Sequence, residues 1–284
     1  MHGYLNCWSS AMEASSPDAC NSSCAPLHVG RFLPPQERAA RITEKRQALL
    51  RFLRKNLYTS AEIAGLLLGI SSRQGVHTTL AAMERDELLR RETVEANGRR
   101  WTLWGITSHG QAFAFDPDNG EQPESKYFEA GRVGLTVLAH TLDLQRVSIL
   151  AERAGWTEWL LGDQMEKWHA SQSRPDALTT SPSGIRFAIE CERTIKTVKR
   201  YEVILSDRLQ AIKRGQFARC LWLSPTPELS SRLRAIVTGI KDIPVAGTRA
   251  QIEDRHLETL MFASYQDFPE NVGDQNGISQ TQSR

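Results

Sequence analysis

Residues 174–201 read RPDALTTSPSGIRFAIECERTIKTVKRY, and the fold prediction for the whole chain starts from this stretch. Pro175 and Asp176 precede a short apolar run, and residues 181–184 that follow it are of the types that favour a turn. Along residues 185–192 apolar and polar side chains alternate, which is the period of a β-strand with two different faces. The stretch therefore predicts two neighbouring strands joined by a turn.

Acidic residues are concentrated at one end of this predicted strand pair. The alternation places Glu190 and Glu192 on the same face of the second strand, and the first strand can bring Asp176 beside them. Three carboxylates held close together repel one another, and a hard divalent cation such as Mg²⁺ or Mn²⁺ relieves that repulsion. Such an ion can polarise a scissile phosphate and activate a bound water molecule. The alternative interpretation is that both glutamates form the solvent-facing side of a half-buried strand.

A basic helix is expected directly after the second strand. Thr194 is the candidate N-cap, and the apolar spacing extends the helix to about Arg214. Lys196, Lys199 and Arg200 lie in its first turns, where their charges could neutralise a phosphodiester.

The order of Pro-Asp, turn, apolar strand ending in acidic residues and basic helix resembles the PD-(D/E)-x-K nuclease superfamily. More narrowly, residues 174–201 are similar to the catalytic half of MobC-type mobilization relaxases and of the replication-relaxation family, and the likeness extends over residues 36–240. The resemblance implies a relaxase that nicks one DNA strand at an origin of transfer with Mg²⁺ or Mn²⁺. It assigns Asp176 to the aspartate of the Pro-Asp element and Glu190 to the (D/E) position.

The chain departs from that pattern at the lysine position, which Glu192 occupies. Either Glu192 is a further metal ligand, or the role of the lysine has moved to Lys196 or Lys199. The departure also favours an alternative function, a non-catalytic DNA-binding regulator or replication accessory protein with a degenerate nuclease fold. An endonuclease that cuts both strands is a further alternative.

The N-terminal block, residues 37–115, has the pattern of three helices followed by a β-hairpin. A basic amphipathic helix comes first, and residues 59–62 form a capping box for the second helix. The third helix is expected from Arg73 to about Arg90, and Asn97-Gly98 is a strong hairpin signal. This order predicts a winged helix-turn-helix, whose third helix enters the major groove of DNA.

Local charge supports DNA as the partner of this block. The chain has a net charge of only +2, but residues 38–100 carry 13 Lys and Arg against 7 Asp and Glu. The candidate DNA-binding residues, which can reach base edges or phosphates, are Arg73, Gln74, His77, Thr78, Arg99 and Arg100. The alternative is a winged helix that serves protein interaction or dimerisation.

The remaining elements predict a mixed sheet flanked by helices. The pattern gives helix 131–150, strand 156–161, the strand pair, the basic helix, strand 217–224, helix 225–240, edge strand 243–246 and a last strand or helix at 256–264. The predicted fold class is α/β (α+β), with a winged helix-turn-helix followed by a restriction-endonuclease-like sheet. His140 is interpreted as a core histidine, with a metal ligand or general base as the alternative. Tyr201 is interpreted as a packing residue, with a nucleophile as the alternative.

Length and composition suit one large or two modest domains. The predicted organisation is a disordered extension, a winged helix, a linker, a nuclease-like domain and a disordered tail, at residues 1–35, 36–115, 116–130, 131–270 and 271–284. Five scattered cysteines indicate neither a disulfide framework nor a zinc site, which favours a cytoplasmic protein. No membrane segment or secretory signal is expected. The expected partners are duplex DNA at an origin of transfer and accessory mobilization and coupling proteins.

Overall fold

The computed structural model describes residues 34–269, except 117, 119, 123, 166, 167 and 169–172, together with Val272. The predicted N-terminal extension and C-terminal tail therefore lie almost entirely outside the described residues. Residues 35–41 are the beginning of the first helix, and the described residues from Ile42 onward form one compact unit. No helix in the part of the chain that the structure describes is both long enough and apolar enough to cross a bilayer.

The N-terminal part of the chain, which we call the head, contains four helices and a three-stranded antiparallel sheet of order β1-β3-β2. Its elements are α1 (Pro35–Asn56), β1 (Tyr58–Ser60), α2 (Ala61–Leu68), α3 (Arg73–Arg85), β2 (Leu89–Ala96), β3 (Arg99–Ile106) and α4 (Ser108–Gln111). The three helices and the hairpin agree with the sequence pattern. Strand β1 was not anticipated, because three residues are too few to show a period.

Local signals explain where the head elements begin and end. Ser60 and Ser72 are the N-caps of α2 and α3, and each side-chain oxygen accepts a backbone N–H three residues later. The predicted capping box began at Thr59, which is wrong by one residue, because the Thr59 hydroxyl donates to Gln145 instead. Helix α3 was expected to reach Arg90 but ends at Arg85, because Glu87 adopts a left-handed φ of 56° and the chain turns into β2. The hairpin turn lies at Asn97 and Gly98, where positive φ angles are required.

The larger part of the chain is a five-stranded mixed sheet of order β10-β7-β6-β5-β4 with helices on both faces. Strands β4, β5 and β6 are antiparallel neighbours, whereas β6, β7 and β10 run parallel. The elements are α5 (Leu138–Arg153), β4 (Thr157–Leu161), β5 (Ala177–Thr180), β6 (Arg186–Cys191), α6 (Val198–Lys213), β7 (Arg219–Ser224), α7 (Pro227–Gly239), β8 (Asp242–Val245), β9 (Thr248–Gln251), α8 (Asp254–Leu257) and β10 (Leu260–Ser264). The mixed α+β fold class is therefore confirmed.

Both faces of strand β6 are buried from Phe187 to Cys191, so the alternative interpretation, in which Glu190 and Glu192 form a solvent-facing side, is wrong. Phe187 and Ile189 pack with residues of α5 on one face. Ala188 packs with residues of α6 and α7 on the other face. Glu190 and Glu192 are only 6% and 3% exposed, because α6 and the loop before it cover this end of the strand.

Several boundaries differ from the sequence pattern. Helix α5 begins at Leu138 instead of Gly131, because residues 130–132 form a short 3₁₀ turn before it. Helix α6 begins at Val198, where Thr197 and not Thr194 accepts the capping hydrogen bond. The predicted edge strand, β8, pairs with β9 in a separate two-stranded sheet.

The head packs against α5 through a buried polar contact. The side-chain amide of Gln145 donates to the carbonyl of Tyr58 at 2.8 Å, and its oxygen accepts the hydroxyl of Thr59 at 2.8 Å. Thr59 and Gln145 are 0% and 2% exposed. Phe128, from the predicted linker, is buried in the apolar cluster between the head and α5. The polar contact defines how the first strand of the head meets the helix that flanks the larger sheet.

We predict that Gln145→Leu destabilises the protein, because the Thr59 hydroxyl and the Tyr58 carbonyl lose their buried partner. Two unsatisfied groups at about 1–3 kcal/mol each should lower the free energy of unfolding by roughly 2–6 kcal/mol in urea denaturation. Glu152→Leu, at an exposed position of the same helix, should change it by less than about 0.5 kcal/mol. Equal losses of stability in the two variants would contradict a stabilising role for the Gln145 contact.

Candidate functional site

The antiparallel pairing of β5 and β6 determines where the acidic residues meet. Ala177 is opposite Ile189, and the N–H of Asp176 donates to the carbonyl of Ile189 at 3.1 Å, so the start of β5 lies beside the end of β6. A cavity of about 320 Å³ opens there. Its lining includes His140, Ser173, Arg174, Asp176, Glu190, Cys191, Glu192, Arg193, Thr194, Lys196, Arg200, Ile204 and Arg208.

Asp176 is held by two contacts. Its Oδ2 accepts the backbone N–H of Cys191 at 2.8 Å, and its Oδ1 lies 3.1 Å from Nε2 of His140. Burial alone would lower the pKa of His140, but the hydrogen bond and the charge of Asp176 outweigh burial and raise that pKa above its ordinary value. His140 therefore belongs to the site and is not simply a core residue of α5.

Glu190 forms a buried ion pair with Arg208 of α6. Its Oε1 accepts from Nε of Arg208, whose residue is only 1% exposed. Burial raises the pKa of the Glu190 carboxyl to about 7, with Arg208 opposing the shift. Glu190 thus reaches the cavity wall with one side of its carboxylate already bound to a cation of the chain.

Glu192 is paired with Lys196. The backbone N–H of Glu192 donates to the carbonyl of Leu223 at 2.8 Å, which continues the pairing with β7, and its carboxylate accepts from Nζ of Lys196. Burial raises the pKa of Glu192, and Lys196 opposes that shift. Lys196 precedes α6 and lies in the connecting loop, so its side chain can reach back to the end of β6.

The other predicted cations are less closely involved. Arg200 lines the cavity from the first turn of α6, whereas Lys199 is exposed and is not among the lining residues. Tyr201 is fully buried beside Trp222, and its hydroxyl accepts the N–H of Lys196 at 3.0 Å. The interpretation of Tyr201 as a packing residue is therefore confirmed.

Sequence reasoning missed two residues beside the predicted set. Asp143 follows His140 on α5; it pairs with Arg193 and accepts the hydroxyl of Tyr265 at 2.9 Å. Arg208 lies on the buried side of α6, whose buried residues also include Ile204 and Ala211. An arginine at i+4 from one apolar residue and i−3 from another indicates a buried cation, and this spacing is the signal that could have identified it.

Carboxylate oxygens suit Mg²⁺ and Mn²⁺, but their arrangement here does not form a metal-binding group. Within the described ranges, no three His, Cys, Asp or Glu side chains are placed together so that they could hold a metal ion. The contacts explain this result, because Glu190 and Glu192 are paired with Arg208 and Lys196 while Asp176 is bound to His140 and a backbone N–H.

The candidate DNA-binding residues lie on two adjoining depressions of the head. Four of them line a shallow depression of about 500 Å³ along α3, namely Arg73, Gln74, His77 and Thr78. A groove of about 830 Å³, which we call the basic groove, is lined by Arg73, His77, Arg99, Arg100, Arg146 and Arg153 among other residues. The guanidinium of Arg99 lies over the ring of Trp101 at 4.6 Å. Arg146 and Arg153 of α5 were not anticipated, because only packing brings that helix beside the head.

Comparisons of the chain with protein-family models, with curated proteins and with solved structures find no match.

We predict that the pKa of His140, measured by NMR titration of its ring protons, lies above 6.5 and falls in Asp176→Asn. Without the aspartate charge, burial becomes the larger influence and disfavours the imidazolium. Because the folded-state pKa is raised, the stabilising contribution of His140 should be complete below about pH 6.5 and lost as pH rises through the folded value. Asp254→Asn, an exposed carboxylate on α8, should leave the titration unchanged, and an unchanged titration in Asp176→Asn would contradict the assignment.

Proposed function

We propose that the protein binds duplex DNA through its head and acts on a phosphodiester at the carboxylate cavity, as a site-specific nicking endonuclease of the relaxase type. One observation carries the proposal. The β5–β6 pairing brings Asp176, Glu190 and Glu192 to one cavity, with Lys196 beside them, although Asp176 and Glu190 are fourteen residues apart. Carboxylates and cations around one opening are the groups that phosphoryl chemistry uses.

The sheet supports the nuclease part of the proposal by its connectivity. A helix leads into three antiparallel strands, and a second helix then leads to a parallel strand. This order suits the PD-(D/E)-x-K nuclease superfamily, which the sequence resembles around residues 174–201. In this proposal the chain is related to MobC-type mobilization relaxases and to the replication-relaxation family.

The cavity can bind a phosphate with residues of the chain itself. Lys196 and Arg200 supply positive charge at its wall, and Arg193 lies next to them. Nε2 of His140 lies 3.1 Å from Oδ1 of Asp176, and an imidazole at this place can exchange a proton with a reacting oxygen. The support for Mg²⁺ or Mn²⁺ is that carboxylate oxygens are the ligands these ions prefer. The described side chains, as they are placed, do not form a metal-binding group.

The head supports recognition of duplex DNA. Its order of helix, strand, two helices and hairpin suits a winged helix, with α3 as the recognition helix and β2–β3 as the wing. Arg73 and Arg100 are exposed and form no ion pair in the described part of the chain, although Glu95 lies opposite Arg100 in the hairpin. Exposed arginines beside a groove are suited to phosphate contacts.

The biological setting is proposed from the same resemblance. The protein would act in the cytoplasm at an origin of transfer, together with accessory mobilization and coupling proteins. Cys191 and Cys220 are both buried free thiols, which suits a reducing compartment.

A non-catalytic DNA-binding regulator is the second candidate function, and the two carboxylate ion pairs favour it. Glu190 with Arg208 and Glu192 with Lys196 each join an acid to a cation of the same chain. A domain that had lost catalysis could retain its fold through such pairs. DNA binding without cleavage would distinguish this candidate from the nuclease.

We predict that replacing Arg99 and Arg100 together by Gln weakens binding to duplex DNA, because two phosphate contacts are lost. The slope of log K against log salt should become less steep by about 0.9 for each contact. Fluorescence anisotropy at several salt concentrations measures this change. Replacing the exposed Arg232 and Arg255 together by Gln is the control and should leave the slope unchanged. If the Arg99 and Arg100 double variant has the same slope as this control, the wing is not the DNA contact.

We predict that the wild-type protein converts supercoiled plasmid carrying its native locus to open circles with Mg²⁺ or Mn²⁺ and not with EDTA. Asp176→Asn and Glu192→Gln should reduce the rate at least about 100-fold, since the charges that organise the site are removed. Asp254→Asn and Glu258→Gln, which change exposed carboxylates outside the cavity, are the matched controls.

The same assay separates the candidate functions. A nick mapped to one strand and one position supports a relaxase, whereas linear product supports an endonuclease that cuts both strands. Binding without nicking under every metal condition, also after addition of the partner proteins encoded at the locus, would establish the regulator instead.

A further inference from the structure

Arg208 uses each of its side-chain nitrogens at the base of the carboxylate cavity. Nε pairs with Glu190, Nη1 donates to the carbonyl of Ser173 at 2.6 Å, and Nη2 donates to the carbonyl of Arg174 at 2.9 Å. One planar guanidinium thus joins the end of β6 to the two residues that precede Pro175-Asp176. The rigid fork of arginine allows this three-way contact, which the single ammonium of lysine cannot reproduce.

The residue before Arg208, Asp207, binds the same segment at other atoms of Ser173. Oδ2 of Asp207 accepts the backbone N–H of Ser173 at 2.9 Å and its hydroxyl at 2.6 Å. Asp207 and Arg208, which we call the α6 clamp, therefore bind Ser173 at both its N–H and its carbonyl. Pro175 follows with a restricted φ angle, so little backbone freedom separates the clamp from Asp176.

The ion pair between Arg208 and Glu190 is buried, and its burial indicates a role other than stability alone. Taking an arginine and a glutamate out of water carries a large desolvation cost, and well-packed apolar residues at such positions often stabilise a fold equally well. Arg208 and Glu190 are nevertheless 1% and 6% exposed. Their directional hydrogen bonds define a backbone position that apolar side chains could not define.

We propose that the α6 clamp is a positioning device that sets the place of Asp176, and that Glu190 is the partner of Arg208. Glu190 then belongs to the clamp, and Asp176 is the carboxylate whose position in the cavity depends on it. The positioning part of this inference stands without any enzymatic activity, and only its catalytic consequence rests on the proposed nuclease function.

The structure contains a reporter for the position of Asp176. The N–H of Cys191 donates to Oδ2 of Asp176 at 2.8 Å, so exchange of this amide with solvent depends on where the aspartate side chain lies. Leu221, in the adjacent strand β7, is fully buried and serves as the reference amide for general opening of the sheet.

The test measures hydrogen exchange of the Cys191 amide relative to the Leu221 amide by ¹H–¹⁵N NMR, without DNA or metal. In Arg208→Lys the ratio of the two exchange rates should rise at least about ten-fold, as it should in the positive control Asp176→Ala. The double variant Glu190→Met with Arg208→Met keeps a packed interior without the clamp, and it should show the same rise if Arg208→Lys does not fold. Lys213→Met, at an exposed position of α6, is the negative control.

An unchanged ratio in Arg208→Lys and in the double variant would overturn the clamp, because a purely structural role would speed both amides together. If wild type nicks plasmid, Arg208→Lys should lower kcat while KM for the plasmid changes less than about two-fold. A raised exchange ratio with no nicking by wild type would support the clamp and refute the nuclease proposal. The two failures are therefore distinguishable.

Discussion

The carboxylates of Asp176, Glu190 and Glu192 lie at one end of a sheet that is covered on both faces, where an ionised group is costly unless a partner compensates it. Each carboxylate has its own partner. Arg208 reaches Glu190 from α6, Lys196 reaches Glu192 from the loop before α6, and His140 reaches Asp176 from α5. Helices α5 and α6 must therefore lie where His140 and Arg208 can pair with these carboxylates.

This constraint explains why β6 is buried along both of its sides although its sequence alternates. Phe187 and Ile189 need an apolar neighbour on the α5 side. Glu190 needs a cation on the α6 side, and only a helix packed directly on the sheet can bring Arg208 to it. A half-exposed strand would have left both glutamates in water, where the paired cations would contribute little to stability.

The head and the carboxylate cavity are connected through α5. One side of this helix carries Gln145, which binds the first strand of the head, and another carries His140, which binds Asp176. Arg146 and Arg153 of the same helix line the basic groove. In the proposed function, one helix therefore supports both the surface that contacts DNA and the cavity that acts on it. A displacement of α5 would move both contacts together, since Gln145 and His140 are both residues of this helix.

Local patterns in the chain were sufficient for most elements, because the Ser72 cap, the Asn97-Gly98 turn and the alternation in β6 depend on residues close in sequence. They were also sufficient to bring Asp176 beside Glu190, since antiparallel pairing across a short turn leaves few registers. The partners of the carboxylates could not be predicted in this way. Arg208 and His140 are separated from them by a helix or by several elements, and only packing decides which face of a helix meets the sheet. The start of α6 at Val198, which frees Lys196 to reach Glu192, was likewise decided by the tertiary structure, because both Thr194 and Thr197 are suitable N-caps and their local signals are equivalent.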